Sequence, residues 1–213
     1  MHNDRKLRIG ISTRIVNNLD YFETRDAVSH DWYFFIKNTL PDALWMLVPN
    51  LGKDTPQFLS EWKLNSFILT GGNNIGTERL RDESELAIID YAMTHEVPLL
   101  GVCRGLQVMV HKFGGHLKPA LNRDHVDKNH TVTFANNPYT YKENSKVVVN
   151  SYHDNIIKDA GGLVPFAFDD EQNIEAAYSE KHRLAGIMWH PERRRRLSEL
   201  DTDFIKQFFG DRK

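Results

Sequence analysis

The feature that most narrows the fold is an alternation of short apolar runs with longer helix-compatible segments through the first half of the chain. "LRIGIS" (7–12), "ALWMLVPN" (43–50), "SFILTGG" (66–72) and "PLLGVC" (98–103) are apolar and bounded by turn residues, as buried strands are. Between them, "SHDWYFFIKNTL" (29–40) reads as a helix with Ser29 as its N-cap and Pro41 as its stop. "ERLRDESELAIIDYAMTHE" (78–96) reads as another, with apolar residues 86, 89, 92 and 93 on one face. This order predicts an α/β fold with a central, mostly parallel sheet and helices on both faces. From 116 to 190 strand-like pieces dominate: "HTVTFA", "KVVVNSYH", "LVPFAFD", "IEAAYS" and "LAGIMWH". The tail "LSELDTDFIKQFFG" (197–210) has an amphipathic helical pattern, with Gly210 placed as a C-cap.

A chain of 213 residues, 40% of them hydrophobic, is long enough for one packed domain, taken here as 1–213. A formal net charge of −2 carries no nucleic-acid or membrane footprint. "MHNDRKLRIGIS" lacks the apolar core of a signal peptide, and no stretch is long enough to span a bilayer. One cysteine excludes an internal disulfide and a Cys-rich zinc site, and it suits a reducing cytosol, so a cytoplasmic location is expected.

That cysteine, Cys103, lies in "GVCRG", a Gly-x-nucleophile-x-Gly pattern between an apolar run and a helix start. On such an elbow the sulfur stands near a helix N-terminus, whose dipole favours thiolate, and the Arg104 N–H is free to meet developing negative charge. A lone cysteine after an apolar strand is also the ordinary pattern of a buried core residue, and the local sequence leaves both readings open. "GIMWHPERR" (186–194) favours the nucleophile. His190 follows an apolar strand, and in an extended segment Glu192, two residues on, would point to the same side and orient it. "LTGGNN" (69–74) ends the preceding strand, where paired glycines can offer the other oxyanion donor.

With these residues in hand, the chain resembles the class I glutamine amidotransferase-like family, in its γ-glutamyl hydrolase branch. The likeness is carried by "TGG", "RD" (81–82), "GVCRGLQ" (101–107), "FGG" (113–115), "NHTV" (129–132), "VNSYH" (149–153), "EAA" (175–177) and "MWHPE" (188–192). It implies a flavodoxin-like sheet and a triad of Cys103, His190 and Glu192. The Gly72 and Arg104 N–H groups would form the oxyanion hole. Gln107, Asn73 and the backbone of Ser151 and Tyr152 would contact the substrate. "SYHDN" departs from the family's usual loop, so glutamyl recognition differs in detail there. The implied reaction cleaves a small-molecule γ-glutamyl amide through a thioester, with no metal or organic cofactor. The Gly-Gly-Asn loop and the "CRG" and "MWHPER" pieces are most similar to members whose leaving group is a nucleotide-linked amidate used in capsule polysaccharide biosynthesis. A γ-glutamyl-aminobutyrate hydrolase and a glutaminase subunit feeding a synthetase in trans are the alternatives. A non-catalytic module would not need the triad. A homo-oligomer is compatible with all of them.

Three further stretches take simple readings. "ERRRR" (192–196) is a solvated basic turn, with Arg193 or Arg194 as the alternative seat for a leaving-group phosphate. "HVDKNH" (125–130) has no Cys partner for a metal, and His130 falls in a family match, so His125 and His130 are read as structural or substrate-loop residues. Trp32, Tyr33, Phe34 and Phe35 read as helix core, and Tyr21, Phe22, Arg25 and His30 as nearby candidates for substrate contact.

Overall fold

In the computed structural model, residues 6–120, 126–194 and 196–210 are described; His125 and Arg195 lie outside them. Strand β1 (Arg8–Ser12) pairs in parallel with β4 (Leu44–Val48) on one side and with β5 (Ser66–Leu69) on the other. β6 (Leu99–Val102) follows β5, and β13 (Leu184–Ile187) lies parallel to β6. Every residue of β5, β6 and β13 is buried, the consequence of helices covering both faces.

Beyond β13 the same sheet turns antiparallel, through β12 (Ile174–Tyr178), β11 (Val164–Asp169), β8 (Val126–Phe134) and β9 (Lys146–Tyr152). A side branch of β10 (Asn155–Asp159) and β7 (His116–Pro119) joins at β12. The expected mostly parallel sheet is therefore one side of a larger mixed one, running from the β4 edge to β13. A separate hairpin, β2 (Arg14–Asn17) with β3 (Thr24–Ala27), follows β1 and was not legible as strands. Its charged and exposed residues lack the alternation that marks a packed strand.

Helices α1 (Asp31–Thr39) and α5 (Glu199–Phe209) cover one face, where Trp32, Phe35, Phe204 and Phe208 meet Ile9, Ile11, Leu100 and Val102. Helices α2 (Thr55–Glu61), α3 (Arg79–Thr94) and α4 (Arg104–Lys112) cover the other, where Leu59, Ile88, Ile89 and Met109 meet Phe67, Leu69 and Leu99. Two-residue periodicity sends Leu99 to one layer and Leu100 to the other. No helix among the described residues is long and apolar enough to cross a membrane.

The packing corrects three expectations. Trp32 and Phe35 are buried, but Tyr33 and Phe34 are exposed, because successive helical residues turn by ~100° and four in a row cannot share a face. β4 is the sheet edge, so Leu44, Trp45 and Leu47 remain partly in solvent. The buried face of α3 is Arg81, Ser84, Glu85, Ile88, Ile89 and Ala92, half of it polar; of the expected set Ile89 and Ala92 are buried, and Leu86 and Met93 are only partly so.

The chain leaves β1 for β4 on one side, then returns to β5 on the other. That reversal opens a crevice at the carboxyl ends of the strands, where open α/β sheets bind ligands. β5, β6 and β13 all end there.

α5 is fastened to the sheet by one carboxylate. Asp201 accepts from Trp189 Nε1 at 3.0 Å and from the Tyr141 hydroxyl at 3.1 Å, both in the interior. Asp201→Ala leaves both donors buried and unsatisfied, so urea denaturation is expected to show a loss of about 2–4 kcal/mol.

Candidate active site

Cys103 joins β6 to α4 with φ 54° and ψ −106°, a backbone geometry that costs an L-residue strain. Its N–H donates to Ile187 O at 2.8 Å and its carbonyl accepts from Gln107 N at 3.2 Å, so sheet and helix both pin the turn. The flanking glycines are steric necessities. A Cβ on Gly101 would lie 2.6 Å from the Gly105 carbonyl carbon, and one on Gly105 would lie 2.4 Å from Leu69 O. The side chain of Cys103 is 6% exposed and lines a cavity of about 240 Å³ at the crevice.

His190 follows β13, and its ring lies beside the cysteine across Gly71: a Cβ built on Gly71 would lie 3.4 Å from His190 Nε2 and 3.6 Å from Cys103 Cβ. Nδ1 faces Glu192 Oε1 at 2.6 Å. The link between them is a 3-10 turn, Pro191–Arg193, in place of the expected extended segment, and the tighter turn still brings the carboxylate to the ring. Burial would lower the pKa of His190. The Glu192 carboxylate and then the Cys103 sulfur outweigh it and push the value up to about 9. The backbone of His190 is fixed as well: Asn150 accepts from its N–H and donates to its carbonyl, each at 2.8 Å. Tyr152 stands edge-on to the ring, with centroids 5.5 Å apart.

The loop after β5 is held by a buried guanidinium. Arg81 donates to Thr70 O at 2.9 Å, to Gly71 O at 3.1 Å and to Asn73 Oδ1 at 2.9 Å, and it also bonds Gly72 O. Its Nε meets Glu85 at 3.0 Å. Glu85 accepts from Ser12 Oγ at 2.8 Å and pairs with Arg104, whose guanidinium also meets Asp82. The "RD" pair thus has a physical role: Arg81 ties down one site loop and Asp82 the residue after the cysteine. A trans peptide points its N–H opposite its C=O. With the Gly71 carbonyl turned to Arg81, the Gly72 N–H is turned away from it, and Gly72 and Cys103 line the same cavity. Gly72 adopts φ +86°, which suits a residue without a side chain. Neither the Gly72 nor the Arg104 N–H has a hydrogen-bond partner among the described residues.

The remaining expected site residues are placed variously. Gln107 and Tyr152 line the cavity. Asn73 does too, but its carboxamide is tied to Ile15, accepting from the N–H at 2.9 Å and donating to the carbonyl at 3.0 Å, so it tethers the loop to β2. Ser151 is fully buried in β9 and is not on the cavity wall. Tyr21, Phe22, Arg25 and His30 line neither this cavity nor the pocket beside Glu192, where Arg14 and Ser29 lie instead. His130 sits with its Nε2 3.3 Å from the buried Glu175, which His153 approaches at 3.6 Å from another side. Burial raises the pKa of Glu175, with His130 opposing. Asp154 and Asn155, at the cavity wall, were not singled out in the sequence; the departure at "SYHDN" was the signal for them.

The fold is that of the class I glutamine amidotransferases: a glutamine amidotransferase from Thermotoga maritima matches with a TM-score of 0.62 over 87% of this chain and 76% of that one, at 16% identity. The chain belongs to the peptidase C26 family, whose model matches residues 42–192. It is 30% identical over 209 residues to the gamma-glutamyl-CDP-amidate hydrolase of Campylobacter jejuni, covering 95% of this chain and 97% of that enzyme. A glutamine-hydrolyzing GMP synthase of Bacillus licheniformis is 27% identical over 73% of this chain, which spans only 29% of that longer enzyme. The protein is accordingly a hydrolase of C–N bonds.

Glu85→Ala would strand the Arg81 and Arg104 guanidiniums in the interior. Breaking a buried pair from one side costs about 3–5 kcal/mol, and chemical denaturation is expected to register a loss of that order.

Proposed function

We propose that the protein, acting as a single unit, hydrolyses a γ-glutamyl amide by acyl transfer through Cys103. The observation that carries this reading is the strained cysteine elbow with the His190–Glu192 pair, 2.6 Å apart, beside it at one cavity. His190 holds the thiol proton, and the Cys103 sulfur attacks the γ-carbonyl carbon. The Gly72 and Arg104 N–H groups receive the oxyanion. As the C–N bond breaks, His190 gives its proton to the departing nitrogen and a γ-glutamyl thioester remains. Water then attacks and yields its proton to His190. The C–S bond breaks and glutamate leaves. One oxyanion donor is worth ~3–4 kcal/mol and acid–base assistance ~10²–10⁴-fold, enough together for a useful enzyme. No metal or organic cofactor enters this chemistry.

Gln107, the backbone at Tyr152 and the Asp154 carboxylate, all on the cavity wall, are the groups that would hold the glutamyl α-carboxylate and α-amino ends. A nucleotide-linked amidate is the leaving group favoured, because the 30% identity to the Campylobacter jejuni enzyme extends over nearly the whole of both chains.

Cys103→Ala is expected to cut glutamate release by roughly 10⁴-fold or more while leaving the circular dichroism spectrum unchanged. The assay compares γ-glutamyl-CDP-amidate, γ-glutamyl-aminobutyrate and glutamine; an active Cys103→Ala protein sinks the proposal.

The pH profile gives a second check. Protonating the leaving nitrogen needs the imidazolium, so kcat/KM should fall as pH rises through about 9. Glu192 raises that pKa, so Glu192→Gln should move the alkaline limb to lower pH as well as reduce the rate.

A further inference from the structure

Behind Tyr152 lies a second groove, of about 420 Å³, lined by Arg193, Arg194, Arg196, Asn129 and Tyr152 among others, with no carboxylate in its wall. Tyr152 is the partition, since it also lines the Cys103 cavity. Its ring lies 5.5 Å from that of His190, and the Arg193 guanidinium stacks 4.5 Å from its centroid.

The charges around this groove do not balance. Arg194 is held by the backbone, donating to Val148 O at 2.9 Å, and faces Asp201 at 3.7 Å, so it belongs to the framework. Among the described residues Arg193 faces one carboxylate, Glu192 at 3.7 Å, and that oxygen is already bound to His190 Nδ1 at 2.6 Å. Arg196 makes no ion pair among the described residues and is exposed. Two guanidiniums therefore line one groove, Arg193 sharing a carboxylate oxygen that His190 already holds and Arg196 with no carboxylate among the described residues. Planar forks of this kind pair bidentately with phosphate oxygens.

We infer that this groove is a leaving-group subsite in which Arg193 and Arg196 bind the phosphate oxygens of the departing amidate. The inference rests on the hydrolase reading above and adds where the substrate's second half lies. A nitrogen protonated by His190 is one bond from phosphorus in a phosphoramidate, and the phosphate chain then runs past the Tyr152 partition. A neutral alkyl amine has nothing to offer these guanidiniums, so the groove selects for charge at the leaving group.

Two measurements test it on the full-length chain. In the first, calorimetry follows CDP, inorganic pyrophosphate and cytidine binding to Cys103→Ala protein, alone and combined with Arg193→Gln or Arg196→Gln. CDP and pyrophosphate should bind, cytidine should not, and each arginine change should weaken CDP at least tenfold. Absent CDP binding, or equal affinity in the arginine variants, overturns the subsite. In the second, the ratio of kcat/KM for γ-glutamyl-CDP-amidate to that for γ-glutamyl-aminobutyrate should fall at least tenfold in Arg196→Gln. An unchanged ratio overturns the subsite and leaves the triad standing. Failure to hydrolyse either compound overturns the hydrolase reading, and the calorimetry still decides the groove.

Discussion

Glu85 is completely buried, one turn along α3 from Arg81, and the site is assembled around it. Through Arg81 it fixes the loop that carries Gly71 and Gly72; through Arg104 it fixes the first residue of α4. Two site segments that are distant in sequence thus share one anchor. A buried ion network is an uncertain source of stability, because desolvation offsets most of the attraction. Its value here is positional. Arg81 directs its donors at three successive carbonyls, and the peptide geometry then decides which way the opposite N–H groups face.

The cysteine elbow is the second element of the same arrangement. A strained residue persists only where its surroundings over-determine it. At Cys103 the bond to Ile187, the start of α4 and the close contact of Gly105 with Leu69 O all do so. The antiparallel half of the sheet completes the site from the other side. Asn150 on β9 clamps the backbone of His190, and Tyr152, two residues on, flanks its ring. The parallel half presents the sulfur, and the antiparallel half orients the base and divides the cavity from the arginine groove.

Much of this was legible in the residues. The N-cap position of α1 falls on His30 and not on Ser29, whose hydroxyl one residue earlier accepts from Asp31 N at 3.2 Å, and Gly210 does end α5, though in an extended conformation and not a left-handed one. Local patterns failed where burial ran against composition. α3 hides Arg81 and Glu85 because each neutralises the other, which no hydrophobic periodicity records. The β2–β3 hairpin is charged and mostly exposed, and it gave no strand signal.

The sequence by itself determined the parallel α/β core, since continuous apolar runs separated by helix-length segments have few other ways to bury themselves. It also marked the elbow through the Gly-x-Cys-x-Gly pattern, although Gly105 is needed because Leu69 O of the neighbouring strand leaves no room for a Cβ. Only the tertiary structure decided that β8 to β12 extend the same sheet, that Asn73 is a tether, and that Arg193 and Arg196 line one groove behind Tyr152. Those outcomes depend on contacts between residues tens of positions apart, and side-chain type alone does not say which partner each will find.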